Sequence, residues 1–488
     1  MKKALTTALA LALALTASAQ TLNVKTGQVT YAHRAANAGD MTFTGGTTLT
    51  VEGRAYNTGE ISSITVDDSS VSDNTVSVSY GGTSASVVVS GNIARHLTVA
   101  VSGAHVTVTQ SADLQQEVSY TLSGSSTNGS FTMDGDYKAA FVLSNLTLIN
   151  LSGPAIDIED GKTITVTLSG TNTLSDATGG THNATLYIDG HPTFSGTGSL
   201  TLRGLTKHAF SSGEYVVVAG GTINVSQAAS DGFHINERFQ MDGGQLTISA
   251  AGDGIDVGFR GANKGTKDQY ERNGFMELNG GILSVTSSGA STKALKADST
   301  ITIAGATVSA TTTGTATYDA AAKDFSSCAA VKTGGQFVLS SGTLTALSTG
   351  AGGKGINATG NIQITGGTAY VTTTGSLFEY GNDDTKPQGI KSDANITVSG
   401  GAVYVCAGTY DGKATAFKPG DTSAFTINGG TLMGIARKKS TVSTASKQSS
   451  SYATGQKITG GQTVTLGGVS YTVPTGYSNT SANVVVSK

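Results

Sequence analysis

The chain has 488 residues, of which only 13% are charged; glycine occurs 66 times and proline 5 times. Few charges and prolines, with abundant glycine, argue against a helical bundle, a coiled coil or a disordered chain. The formal net charge of −3 provides no basic field for binding nucleic acid. We therefore expect an all-β protein with many tight turns.

The first 19 residues have the pattern of a secretory signal peptide. Lys2 and Lys3 precede an Ala/Leu run, and Ala17-Ser18-Ala19 forms a small-residue cleavage site. No later stretch approaches the roughly 18 apolar residues of a membrane-spanning helix. We expect export to the periplasm, cell surface or medium, without membrane insertion.

A short unit recurs along the chain. One apolar residue stands between small or polar residues, an alternating strand follows, and Gly-Gly-Thr or a similar run begins a second strand. The intervals between these apolar residues range from 22 (Phe233 to Ile255) to 40 (Ile255 to Leu295), so the loops vary around constant strands. Such variation is typical of stacked repeats. The predicted column is Ile156, Leu186, Phe210, Phe233, Ile255, Leu295, Val331, Ile356, Ile390 and Phe417.

Winding these strands turns the apolar side chains toward one axis and the Thr and Ser side chains outward. We predict a right-handed parallel β-helix solenoid of about ten coils over residues 101–435. Residues 20–100 should form a small N-terminal β module, and residues 436–488 a C-terminal β segment that caps the solenoid. Hairpins in a sandwich would not explain the column. In this register Cys328 and Cys406 lie about 10 Å apart, beyond the usual range of a disulfide.

Several runs carry a family resemblance: Ala184 to Asp189, His208 to Ser212, Gly220 to Val225, Ser230 to His234, and Gly252 to Asp256. Over roughly residues 115–435 the chain resembles bacterial secreted carbohydrate-binding domains with a right-handed parallel β-helix fold, related to pectate-type polysaccharide lyases. The resemblance implies binding of plant-type polysaccharides, cellulose-like or pectic, with calcium held by aspartates. After residue 290 the Asp-Gly-Ile pattern changes to Lys-Ala-Leu-Lys, which puts calcium sites there in doubt.

Three aspartates form the candidate metal site. Asp231 and Asp253 occupy one column on adjacent repeats, so their carboxylates should stand about 5 Å apart and repel by roughly 3 kcal/mol. A calcium ion between them, also bound by Asp256, would remove that repulsion. Asp268 and Glu271 could complete the shell. The alternative is that the aspartates cap turns by accepting backbone N–H groups.

A second candidate site is a column of lysines directly after the apolar column. Lys296, Lys332 and Lys391, with Lys418 beyond them, could bind the carboxylates of a uronate polymer. One lysine could instead act as the base of a β-elimination, which requires a lowered pKa. The third possibility is neutralisation, Lys296 by Asp298 and Lys391 by Asp393.

A pair of tyrosines forms the third candidate site. Tyr370 and Tyr404 occupy the same outward position on consecutive repeats and could meet the face of a sugar ring. Stacked aromatic side chains also stabilise parallel strands without any ligand.

Together these features favour an exported, calcium-dependent, non-catalytic polysaccharide-binding protein, which we expect to be a monomer. A calcium-assisted polysaccharide lyase and a surface adhesin or structural rod remain the alternatives. Whether the protein is an enzyme is left open at this point.

Overall fold

A computed structural model describes residues 20–259, 273–408 and 413–488. The proposed signal segment 1–19, and Asp268 and Glu271, lie outside these residues. The chain divides into two compact units, residues 1–200 and 201–488. Within the described residues, no helix is both long and apolar enough to span a membrane.

Unit 1 contains a 3₁₀-helix, Ala35–Asp40, and a one-turn helix α1, Gly91–Ala94. Its strands are β1 (Thr21–Thr26), β2 (Val29–Arg34), β3 (Thr42–Thr44), β4 (Thr48–Val51), β5 (Arg54–Asn57), β6 (Ile61–Asp67), β7 (Thr75–Gly81), β8 (Ser84–Ser90), β9 (Leu97–Ser102), β10 (Ala104–Gln110), β11 (Val118–Ser126), β12 (Gly129–Asp134), β13 (Ala139–Ile149), β14 (Ile156–Glu159), β15 (Thr163–Ser169), β16 (Thr171–Ser175), β17 (Ala184–Ile188), β18 (His191–Gly196) and β19 (Ser199–Gly204), which runs into unit 2.

The strands of unit 2 are β20 (His208–Ser212), β21 (Val216–Val218), β22 (Thr222–Ala228), β23 (Phe233–Ile235), β24 (Arg238–Met241), β25 (Gln245–Ala250), β26 (Ile255–Val257), β27 (Phe275–Leu278), β28 (Ile282–Ser287), β29 (Lys293–Ala297), β30 (Ile301–Thr312), β31 (Thr317–Asp319), β32 (Asp324–Ser326), β33 (Ala329–Thr333), β34 (Phe337–Ser348), β35 (Lys354–Ala358), β36 (Ile362–Ile364), β37 (Thr368–Thr373), β38 (Phe378–Tyr380), β39 (Asp383–Thr385), β40 (Gln388–Ser392), β41 (Ile396–Ala407), β42 (Thr415–Lys418), β43 (Phe425–Ala436), β44 (Ser450–Thr459), β45 (Thr463–Leu466), β46 (Val469–Thr472) and β47 (Ser478–Ser487).

Equivalent strands of successive repeats pair in parallel and in register in unit 2. Phe210 lies opposite Phe233, and Phe233 lies opposite Ile255. The same pairing continues through β26, β29, β33, β35, β40 and β42. The predicted stacking of the apolar column is therefore confirmed in this unit.

The strand columns of unit 2 share one apolar interior. Phe233 from one column meets Phe239 from another edge-to-face, with 6.3 Å between ring centroids. At the corners, Gly244 has a φ of 74°, and a Cβ there would lie 2.6 Å from the carbonyl oxygen of Gly221. Only glycine combines that conformation with so close an approach, which explains the recurring Gly-Gly.

The prediction of a simple right-handed β-helix solenoid is wrong. The chain is all-β with almost no helix, and strands from outside the repeat join its parallel sheets, so the fold is not a simple solenoid. In unit 1, β1 pairs antiparallel with β2 and β6, and β7 with β8. In unit 2, β47 pairs antiparallel with both β43 and β44. The repeat in the sequence reports which residues stack, but it carries no signal for strands that join the sheets from outside the repeat.

Cys328 and Cys406 are both buried free thiols. Neither pairs with the other, as the repeat register leads us to expect. Burial raises the pKa of both thiols, because a low-polarity surrounding disfavours the thiolate.

We predict that Phe233→Ala lowers the free energy of unfolding by about 3–5 kcal/mol, because a fully buried ring is lost from between two stacked neighbours. Denaturant unfolding followed by circular dichroism measures this. Thr222→Ala, at an exposed position of the same unit, should change stability by less than about 0.5 kcal/mol. Equal midpoints for both variants would contradict the packing described.

Candidate functional site

A row of polar side chains runs across the outer face of the strands that carry the apolar column in unit 2. Each member follows the buried column residue of its strand, so neighbours stand on adjacent strands about 4.8 Å apart. We call this row the polar ladder; in register it contains Ser211, His234, Asp256, Lys296, Lys332, Asn357, Lys391 and Lys418. The three lysines predicted to bind substrate therefore lie on one face, with Asn357 between Lys332 and Lys391.

Two imidazoles converge on one carboxylate oxygen at the start of the ladder. The Nδ1 atoms of His208 and His234 each lie 3.2 Å from Oδ2 of Asp231. The two rings are stacked, with centroids 4.5 Å apart. Burial by itself raises the pKa of Asp231, but the hydrogen bonds from both histidines outweigh burial and hold that pKa below its ordinary value.

Asp231 and Asp253 also act as turn caps. Oδ1 of Asp231 accepts the backbone N–H of Asp253 at 2.9 Å, and Oδ1 of Asp253 accepts the backbone N–H of Lys293 at 2.7 Å. Burial raises the pKa of Asp253, and its hydrogen bond from the Lys293 amide and the charge of Lys296 only partly oppose this. The structure thus brings these aspartates together on adjacent strands, each fixed by the next turn.

Lys296 neutralises the acidic part of the ladder. Its Nζ lies 3.0 Å from Asp256 Oδ1 and 3.5 Å from Asp253 Oδ2. Burial lowers the pKa of Lys296, but these two carboxylates outweigh burial and raise it. Asp298, the partner expected from the sequence, instead accepts the backbone N–H of Phe259 at 3.1 Å.

The three aspartates fit calcium poorly as they stand. Calcium takes six to eight oxygen ligands. Here an ammonium group occupies the space beside Asp253 and Asp256, and two nitrogen donors face Asp231. Of the groups suggested to complete the shell, Asp268 and Glu271 fall outside the described residues.

The other ladder lysines differ in charge balance. Lys391 pairs with Asp393 at 2.5 Å, as the neutralised alternative predicts, and Lys418 pairs with Asp421 at 2.5 Å. Lys332 forms no ion pair within the described part of the chain; its Nζ donates to Thr359 Oγ1 at 3.3 Å. Burial lowers the pKa of Lys332, and the positive charge of Lys391 adds to that effect.

Asn357, beside Lys332 on the ladder, has an unsatisfied acceptor. Its Oδ1 is buried and accepts no hydrogen bond from any described residue. A buried carbonyl oxygen without a donor is energetically costly. The position therefore suits a small buried donor such as a water molecule.

The two predicted tyrosines stack on each other and on a third tyrosine. The ring centroids of Tyr370 and Tyr404 are 5.5 Å apart, and Tyr471, from β46, lies 4.7 Å from Tyr404. Tyr370 remains 38% exposed, while Tyr404 packs beside the apolar cluster of the C-terminal strands. The alternative in which stacked aromatic side chains stabilise the strands therefore has direct structural support, and sugar binding at this strip stays a prediction.

Four aromatic side chains on two hairpins were not singled out by the sequence reasoning. Tyr318 and Tyr380 are stacked with centroids 4.2 Å apart, and Phe325 and Phe378 meet edge-to-face at 6.0 Å. We call Tyr318, Phe325, Phe378 and Tyr380 the aromatic shelf. Tyr380 is 53% exposed. Tyrosine in each of two loop insertions, one between Leu295 and Val331 and the other between Ile356 and Ile390, was the available signal.

A buried lysine fixes one of these hairpins. Lys354, 4% exposed, donates from Nζ to the carbonyl oxygens of Gly352 and Lys386 and to Thr385 Oγ1. Ser327 Oγ, next to the other hairpin, lies 3.1 Å from the same Thr385 Oγ1. Burial, with Lys391 and Lys386 nearby, lowers the pKa of Lys354 to about 7.

Comparisons with known proteins agree with a sugar ligand. The family described as "Carbohydrate-binding domain-containing protein" matches residues 102–376. No curated protein matches the sequence. Among solved structures, a polysaccharide lyase-like protein from C. thermocellum, determined as a gadolinium derivative, has a TM-score of 0.40 and 21% identity, covering 49% of this chain and 91% of that chain. This structural likeness is too distant to carry a functional argument.

We predict that Lys354 makes the free energy of unfolding rise as the pH is raised above about 7. In the unfolded chain a lysine titrates near pH 10.4, whereas its folded pKa is about 7. Between these values the unfolded state binds more protons, so raising the pH stabilises the folded state by on the order of a few kcal/mol; below pH 7 this contribution is absent.

Urea unfolding at several pH values between about 6 and 10 measures this effect, with Lys354→Met as the comparison. The wild-type free energy of unfolding should rise relative to that of the variant across this range. Lys447→Met, at an exposed lysine, should follow the wild type. Parallel curves for wild type and Lys354→Met would disprove the assignment.

Proposed function

Since the chain belongs to the carbohydrate-binding domain-containing protein family, which matches residues 102–376, we propose that it is an exported polysaccharide-binding protein whose ligand is an acidic, uronate-containing polymer. The observation that carries this proposal is the Lys332 ammonium on the polar ladder, which has no carboxylate partner among the described residues. The signal-like residues 1–19 support export.

Lys332 is suited to a carboxylate that comes from outside the chain. Its neighbours in charge are the cations Lys391 and Lys293 and the carboxylate of Asp393, which already pairs with Lys391 and only partly opposes the two cations. A partly buried ammonium gains more from a carboxylate than an exposed one, since less of the attraction is screened by water. Asn357 lies next to Lys332 on the following strand of the ladder.

The aromatic shelf supplies the apolar contact that sugar binding also needs. A sugar ring has an apolar face that packs against an aromatic ring, while the tyrosine hydroxyl bonds to sugar oxygens. Phe325 precedes Lys332 by seven residues, so shelf and lysine are at most about 25 Å apart along the chain. An extended polymer can span this distance.

A lyase that cleaves uronate polymers is the second candidate. The lowered pKa of Lys332 favours it, because a lysine base must be neutral to accept a proton. Neutral Nζ would take the C5 proton beside the uronate carboxylate, a C4=C5 double bond would form, and the C4–O bond would break, the leaving oxygen taking a proton from water. Absorbance of the unsaturated product distinguishes this activity from binding alone.

Calcium dependence stays a prediction. Calcium bound by Asp231, Asp253 and Asp256 would require Lys296 to move from its place beside the last two. Titration calorimetry with calcium, and retention on immobilised polygalacturonate with and without chelator, test it. An adhesin or rod, the remaining alternative, would show no retention under either condition.

We predict that Lys332→Met weakens binding to polygalacturonate by about 10- to 100-fold, because a charge-assisted hydrogen bond contributes about 1.5–3 kcal/mol. Affinity electrophoresis in gels containing the polymer measures this. Lys447→Met makes the same charge change at an exposed position and should bind like the wild type. Equal loss in both variants would mean that only net charge matters.

We predict that Tyr380→Ala weakens binding of the same polymer by about 3- to 10-fold, since a lost stacking contact costs about 0.5–1.5 kcal/mol. The effect should persist at high salt, whereas that of Lys332→Met should shrink. Tyr452→Ala, at a tyrosine 38% exposed in the same unit, is the control. Unchanged retention of Tyr380→Ala would remove the aromatic shelf from the proposed binding surface.

A further inference from the structure

Three side chains of unit 2 point their ligand atoms at one small volume. His208, Asp231 and His234 each offer one atom, and these atoms lie within 4.8 Å of one another. His208 lies at the start of β20, His234 lies in β23, and Asp231 lies in the turn that precedes β23. Neighbouring strands thus bring together residues that are 23 and 26 positions apart in the chain.

Two of the three distances in this group match the edges of a metal coordination polyhedron, and the third, between the two Nδ1 atoms, is within 4.8 Å. Zinc binds imidazole nitrogen at about 2.0–2.1 Å and carboxylate oxygen at about 2.0–2.2 Å, usually in a tetrahedron. Two ligand atoms of such a tetrahedron are therefore about 3.4 Å apart. Nδ1 of His208 and Nδ1 of His234 are each 3.2 Å from Oδ2 of Asp231, within a few tenths of an ångström of that value.

The backbone orients the carboxylate before any ion arrives, whereas the two stacked imidazole rings, 17° from parallel, must turn to aim their in-plane lone pairs at one ion. Oδ1 of Asp231 is held by the Asp253 amide at 2.9 Å, which orients the carboxylate and leaves Oδ2 for the histidines. Hydrogen bonds of this kind to the ligands of metal sites orient them and tune affinity. The side chains are 5%, 13% and 34% exposed in chain order, so the His234 side is the open one.

A fourth oxygen stands next to this group. Oδ2 of Asp256, the ladder neighbour of His234, lies 3.6 Å from His234 Nδ1. This oxygen already accepts a hydrogen bond from Lys296 Nζ at 3.1 Å, so we expect a water molecule to take the fourth position. The donor set of two imidazoles and one or two carboxylates suits zinc and similar transition metals, whereas calcium prefers oxygen alone.

We propose that His208, Asp231 and His234 form a binding site for a divalent transition metal of the zinc class. Both Nδ1 atoms and Asp231 Oδ2 are the ligands, and any protons on the two Nδ1 atoms are released to solvent on binding. This site shares Asp231 with the oxygen-only calcium candidate, so the two cannot be filled together, and it does not depend on polysaccharide binding.

Titration calorimetry of the whole, metal-stripped chain with zinc chloride, without polysaccharide, tests the proposal. We expect one zinc per chain, with affinity at least tenfold lower in His234→Ala and in Asp231→Asn. His105→Ala, at a half-buried histidine outside the cluster, should bind like the wild type. Because His234 is partly exposed, its variant should fold, which circular dichroism verifies.

Cobalt provides a second readout that loss of folding cannot imitate. Cobalt in a four-ligand site with nitrogen donors gives visible absorption bands, and these should appear with the wild type and be lost with His234→Ala. Absence of stoichiometric zinc binding, or equal affinity in wild type and His234→Ala, overturns the proposal. So does displacement of zinc by an equal concentration of calcium.

Discussion

In-register parallel pairing places each outward side chain about 4.8 Å from the side chain at the same position of the next strand. In unit 2 this spacing governs both the interior and the surface. Inside, it stacks Phe210, Phe233 and Ile255. On the outer face, it brings polar groups close together whether their charges attract or repel one another. The chemistry of this surface is therefore a consequence of how each repeat is matched to its neighbours.

The polar ladder shows how such forced contacts are balanced. Where carboxylates would repel, the chain places Lys296 beside Asp253 and Asp256, and His208 and His234 beside Asp231. Farther along, Lys391 and Lys418 are each paired with a nearby aspartate. Lys332 lacks such a partner among the described residues, and we expect an anionic ligand to bind at its ammonium group.

The sequence alone predicts contacts within the repeat and fails for contacts outside it. The column from Phe210 to Phe417 and the ladder lysines could be aligned, because equal positions in a repeat must stack. Tyr471 on Tyr404, and Tyr318 on Tyr380, could not be, since Tyr471, Tyr318 and Tyr380 lie in strands whose spacing follows no repeat. For the same reason, the sequence predicts β strands at both ends of the chain but not how they join the sheets. His208 was not assigned to a site, because the spacing of the histidines in the sequence shows no metal-binding pattern.

The antiparallel strand β47 has a consequence for growth of the sheet. The last parallel strand, β43, would otherwise offer a row of free amides and carbonyls to another molecule. Here β47 takes those bonds and is itself covered by β44. This pairing protects the end of the sheet in the same way however many repeats precede it. Duplication or deletion of an internal repeat could therefore change the length of the polar ladder during evolution without exposing an edge that nucleates fibres.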